Sequence, residues 1–160
     1  MRNYSNKGEK YTKLILVYMQ YPAWRALSPK VQALHSWLKM EWKGHKANNN
    51  GKISLSVRQA AKWMGVSNDT AVEAFHELQV KGLIVITEPA SLGVKGQGKC
   101  PKYEINELDL PGEPRGRCLF SKWKKGPDLP VIKTNISNVI RKTKPRPNNS
   151  DPTVLVSRPK

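Results

Sequence analysis

Apolar residues recur at helical spacing over Val31, Leu34, Leu38 and Trp42, and Ser28-Pro29 stands directly before them. A serine can accept an orphan amide bond, and a proline in the first turn loses nothing by lacking its N–H. The pattern therefore predicts a helix from Pro29 to about Lys43, apolar on one side. Asn48-Asn49-Asn50-Gly51 reads as a turn, because these residues tolerate left-handed backbone. The alternation in Lys52-Ile53-Ser54-Leu55-Ser56 then predicts a short strand with Ile53 and Leu55 on one face.

Ser56 can cap a helix from Val57 to Met64, burying Val57, Ala60, Ala61 and Met64 and leaving Arg58, Gln59 and Lys62 outward; Gly65 ends it. Ser67 can cap a second helix reaching about Lys81, with Ala71, Val72, Phe75 and Leu78 inward and Gly82 as terminator. Two helices thus meet across a three-residue turn. The β-prone run Leu83 to Thr87, the glycine- and proline-rich stretch Glu88 to Gly98 and the alternating Lys102 to Asn106 predict a hairpin with a long tip.

The N-terminal part is less regular. Leu14, Ile15, Val17, Tyr18, Tyr21, Trp24 and Leu27 cover a face, with Pro22 either interrupting or beginning a helix. Residues 1–9 are polar and read as a disordered start. Beyond Leu110, prolines and glycines alternate with basic residues, so 111–160 is expected to be a basic, Pro-rich tail, partly docked near Phe120 and Trp123 and otherwise disordered. The organisation expected is one domain over 10–110 with flanking segments, in an α+β, mainly α class. Trp24, Trp37, Trp42 and Trp63 sit at core-like positions in that scheme.

Charge changes the picture. The 160 residues hold 28 Lys and Arg against 12 Asp and Glu, so a polyanion is the expected partner. The excess is uneven: 1–51 carries nine basic and two acidic residues, 52–110 seven of each, and 111–160 twelve and three. The longest apolar run, Leu14 to Met19, is far short of the ~20 residues that span a bilayer. A cytoplasmic protein without a membrane role is expected. Cys100 and Cys118 form no CxxC pair, and His35, His45 and His76 have no partners at metal or triad spacing. No cofactor, metal site or enzymatic activity is expected from these spacings.

Strand, helix, three-residue turn, helix and two-stranded wing is the order of a winged helix-turn-helix, whose second helix normally enters the major groove. Several stretches carry a closer likeness: Ala23-Trp24-Arg25-Ala26-Leu27-Ser28, Asn49-Asn50-Gly51-Lys52-Ile53-Ser54-Leu55-Ser56, Ala60-Ala61, Gly65-Val66-Ser67, Thr70, Glu77-Leu78, Gly82-Leu83-Ile84 and Phe120-Ser121-Lys122-Trp123. Together they resemble a family of small winged-helix proteins encoded by bacteria, phages and plasmids, described as transcriptional regulators or replication-associated proteins. The resemblance implies double-stranded DNA binding, as a regulator of a mobile element or as a replication-initiation, origin-binding accessory.

Within that scheme Ser67 and Thr70 can contact a phosphate at a helix N-terminus or act only as caps. Asn68, Asp69, Glu73 and His76 lie on the outward face of the second helix, reading base edges or merely solvated. With Glu77, that helix has more acid than base, which leaves open a protein-interaction winged helix facing a basic partner. Backbone contacts would come from Arg58 and Lys62, from Lys95, Lys99 and Lys102 on the wing, and from Arg115, Arg117, Lys122, Lys124 and Lys125 in the tail. Phe120 and Trp123 could stack on unpaired bases or pin the tail to the domain. Homodimerisation through Leu14 to Leu27 is left open by the sequence, as is a protein partner engaged by the second helix or the tail.

Overall fold

A computed structural model describes residues 10–92 and 98–131. The architecture is α+β and mainly helical. Its helices are α1 (Leu16–Met19), α2 (Pro22–Arg25), α3 (Pro29–Met40), α4 (Val57–Met64) and α5 (Asn68–Val80). Its strands are β1 (Ile53–Ser54), β2 (Ile84–Glu88), β3 (Ser91–Leu92), β4 (Gly98–Lys99) and β5 (Lys102–Ile105). Single 3₁₀ turns occur at His45–Ala47 and Leu119–Lys122.

Helix α3 starts at Pro29 as expected, but Ser28 makes no side-chain cap bond. Its own amide instead donates to Glu77 Oε1 on α5 at 3.2 Å. The helix also ends earlier than the periodicity suggests, at Met40 rather than near Lys43. The asparagines of the following turn draw the chain out of helical register: Asn49 Oδ1 accepts from the Lys43 amide at 2.8 Å while its Nδ2 donates to the Glu41 carbonyl at 3.1 Å. Asn48 Oδ1 accepts from the Trp42 indole at 3.0 Å. Those bonds satisfy helix-end groups that a further turn would otherwise have covered.

The sheet has the order β1-β5-β2, antiparallel throughout. Ile53 faces Tyr103, and Ile84 faces Ile105, so the alternating apolar residues of all three strands share one side. That side packs on the helices, where Leu34, Leu38, Leu55 and Leu78 are buried with them and Phe75 lies flat on Tyr103 at 5.0 Å between ring centres. Beyond a bulge between Ile86 and Glu88, β3 and β4 pair as a small distal hairpin.

A further wall of the body is formed by the first part of the Pro/Gly-rich stretch that follows Leu110. Phe120 and Trp123 belong to the same buried cluster as the helices. Phe120 sits edge-on to Tyr18 and Tyr21, at 5.5 and 5.3 Å. The Cys118 amide donates to the Asn106 carbonyl at 2.8 Å, and the Leu129 amide donates to the Val80 carbonyl at 2.9 Å. The packed body therefore runs past Leu110 to about Leu129, because two aromatic side chains and two backbone bonds outweigh the local preference of a Pro/Gly-rich stretch. Residues 1–9 and 132–160, with the expectations placed on them, lie outside the described residues.

Near the N-terminus, Pro22 begins α2, and Trp24 and Leu27 are buried. Leu14, Ile15 and Val17, expected to join that apolar face, stand exposed instead. Only Leu16–Met19 of the six-residue apolar run is helical, and there Tyr18 and Met19 take the places against the core. Among the described residues no helix is long and apolar enough to cross a membrane.

Candidate nucleic-acid interface

The α4–α5 unit is built by local chemistry. Ser56 Oγ accepts from the Gln59 amide at 3.1 Å and starts α4. Gly65 ends it in left-handed conformation, φ 66° and ψ 36°, and the Val66 amide returns to the Ala61 carbonyl at 3.0 Å. Ser67 Oγ then accepts from the Thr70 amide at 3.1 Å and starts α5, and the Ser67 and Thr70 hydroxyls are themselves bonded at 2.9 Å. Both hydroxyls are thus engaged in capping, and the amides of Asn68 and Asp69 are the first-turn donors with no intrahelical acceptor.

Helix α5 buries Ala71, Ala74, Phe75 and Leu78. Its opposite face carries Asn68, Asp69, Glu73 and His76, all exposed and recurring at about one turn. Val72 joins them at 45% exposure, although its spacing suggested an inward position. The inward stripe runs through 71, 74, 75 and 78, and a residue one step past Ala71 is rotated some 100° from it.

Glu77 is the acidic residue of this helix with a visible structural role. It accepts from the Ser28 amide at the start of α3 and from Lys81 at 3.0 Å. A carboxylate at a helix N-terminus is favoured by the peptide dipoles it meets. Between α3 and α5 lies an open cleft of about 390 Å³, lined by Lys30, Thr70, Glu73 and Glu77 among others. Nothing in the sequence singles out Lys30, because its nearness to α5 follows only from the packing of α3.

The basic residues fall into distinct groups. Arg58 and Lys62 are exposed on α4, one turn apart, and Lys99 is exposed on β4. Lys102 is half-buried and paired with Glu88 of the neighbouring strand at 2.8 Å, in a contact open to solvent. Arg115, Lys122, Lys124 and Lys125 are exposed, whereas Arg117 reaches back to Glu104 at 3.1 Å. Glu104 is fully buried on β5; burial raises its carboxyl pKa, with Arg117 opposing that shift. Arg117 therefore ties the covering segment to the sheet through its Nε, while its side chain stays about half exposed. Lys95 lies outside the described residues.

Among the described residues no group of three or more His, Cys, Asp or Glu could hold a metal ion, and both cysteines are unpaired. His35 is fully buried edge-on to Trp24 at 4.9 Å. Trp37, expected in the core, is partly exposed and tilted against Trp63 at 5.3 Å between ring centres. No family model, curated protein or solved structure matches the chain.

Proposed function

We propose that the chain binds double-stranded DNA through a winged helix-turn-helix, with α5 as the recognition helix, and acts as a regulator of a mobile genetic element. One observation carries the reading: a capped helix pair, α4 and α5, separated by Gly65-Val66-Ser67, presents a polar face of α5 beside a sheet whose β2 and β5 run on into a distal hairpin. The order α3, β1, α4, α5, β2, β5, with β1 joined to β5, is the order expected of such a domain. Exposed Arg58, Lys62 and Lys99 supply phosphate ligands, and Asn68 supplies an amide suited to adenine.

The test is selection of a random duplex library by the full chain at physiological salt, followed by sequencing of the bound pool. The expected result is an enriched motif that Asn68→Ala relaxes more than it lowers affinity. An unenriched pool, or a motif indifferent to Asn68→Ala, rejects α5 as the reading element.

A second reading is favoured by Val72. An exposed valine between Asp69 and Glu73, on a helix face without a single Lys or Arg, suits a basic protein partner at the same surface. Duplex binding that survives Glu73→Lys unchanged, together with no motif, is the outcome that transfers α5 to this role.

A further inference from the structure

The covering segment past Leu110 is strongly cationic. From Arg115 to Lys125 it holds five basic residues and no acidic one. Arg117 is tied to Glu104, while Arg115, Lys122, Lys124 and Lys125 are exposed and take part in no ion pair among the described residues. The acids nearest in sequence stand outside that stretch: Glu113 is exposed, and Asp128 accepts from the Trp123 indole at 3.4 Å. Like charges gathered this closely raise the local positive potential and draw anions to it.

The cluster is also fixed in place. Phe120 and Trp123 are buried, so the lysines on either side of Trp123 face outward from a docked backbone. The Trp123 ring centre lies 5.8 Å from the ammonium of Lys81, just beyond α5, and the Leu129 amide is bonded to the carbonyl of Val80, the last residue of that helix. The cations therefore stand at the C-terminal end of α5, whereas Asn68 opens its N-terminal end. Its 13 residues separate the two ends by about 20 Å, more than the ~12 Å width of the major groove. A helix of that length seated in the groove brings its far end towards the phosphates that border it.

We propose that Lys122, Lys124 and Lys125 form a second phosphate-binding surface, which grips the nucleic-acid backbone at the end of α5 without reading sequence. The proposal rests on the reading of the chain as a duplex-binding protein, but not on α5 as the reading element. Ammonium groups meet phosphates that every sequence shares, so such a surface holds the chain on any duplex. A duplex carries one negative charge per ~1.7 Å of its axis, and three lysines within four positions suit so dense a row of charge. Because the backbone that bears them is already docked, binding does not have to order it.

The test is titration of the full chain with a short labelled duplex of unselected sequence, from about 50 to 200 mM salt. Lys122→Gln with Lys124→Gln and Lys125→Gln should lower affinity by about tenfold or more, and should reduce the magnitude of the slope of log affinity against log salt by about 2 to 3. All three side chains are exposed, so the melting temperature should not change, and Asn68→Ala should leave this unselected binding as it is. Unchanged affinity and slope in the triple variant overturn the proposal, even where a selected motif establishes α5 as the reader. The reverse result, no motif but a reduced slope in the triple variant, removes α5 as the reader and upholds the surface. A triple variant that keeps its duplex binding but no longer pellets with phosphatidylglycerol vesicles assigns the cluster to a lipid surface and overturns the proposal.

Discussion

Asn50 shows how much a turn residue can carry. Its Nδ2 donates to the carbonyls of Ile105, Leu108 and Asp109, and its Oδ1 accepts from the Ile105 amide at 2.8 Å. Buried at 2% exposure, it acts as a surrogate strand residue that ends β5 and anchors the turn. The sequence identifies Asn48 to Gly51 as a turn, since that depends on local backbone preference. It cannot identify the partners, which lie 55 to 59 positions away. Asn50→Ala strands several buried polar groups at once and should cost about 3 kcal/mol or more in urea unfolding. A cost under about 1 kcal/mol would show that water replaces the amide. His35 tests burial differently. Desolvation, helped by the positive charge of Lys39, lowers its pKa from 6.5 to about 3. The unfolded chain then binds a proton that the folded chain refuses, so stability falls as pH drops from about 6.5 towards about 3, by up to roughly 1.4 kcal/mol per pH unit. In His35→Phe, which keeps a ring against Trp24, the wild-type minus variant difference in unfolding free energy should lose that slope. A slope left intact would place the titrating group elsewhere.

At the scale of elements, the two glycines that close α4 and α5 look alike in sequence and differ in the fold. Gly65 has φ 66° with open space where a Cβ would go. Gly82 has φ 73°, and a Cβ there would meet the Leu129 side chain at 2.6 Å and the Phe120 amide nitrogen at 3.0 Å. Gly65→Ala should therefore cost only the left-handed backbone penalty, about 1 kcal/mol. Gly82→Ala must also displace the covering segment and should cost about 2–3 kcal/mol, with accelerated amide exchange at Leu129. Equal costs would mean that the segment yields freely. The contrast also marks what is legible in a sequence. Helices α4 and α5 can be read almost to the residue because Ser56, Gly65 and Ser67 act within one turn of themselves. For the covering segment the sequence points to Phe120 and Trp123 as docking residues but not to their partners, because Tyr18 and Tyr21 lie about a hundred positions earlier. Val72 departs from its expected place for a related reason. A stripe predicts a face, but the width of that face is set by what packs on it.

Over the whole molecule, the excess of basic residues is not all available to an anion. Lys39 and Lys81 are paired within the fold, and so are Lys102 and Arg117. Two of these, Lys102 and Arg117, are candidate phosphate ligands by sequence, since a lysine or arginine in a basic stretch gives no sign of a carboxylate brought to it by folding. The exposed cations of α4 have no such partner among the described ion pairs, which makes them the sharper probe of the proposed duplex contact. Each phosphate neutralised releases counterions and adds about 0.9 to the magnitude of the slope of log affinity against log salt. Arg58→Ala with Lys62→Ala should accordingly reduce that slope by about 1 to 2 without altering the selected motif. A lower affinity with an unchanged slope would mean that α4 supports the fold of the interface but does not touch the duplex. A changed motif would move α4 from backbone contact to base reading.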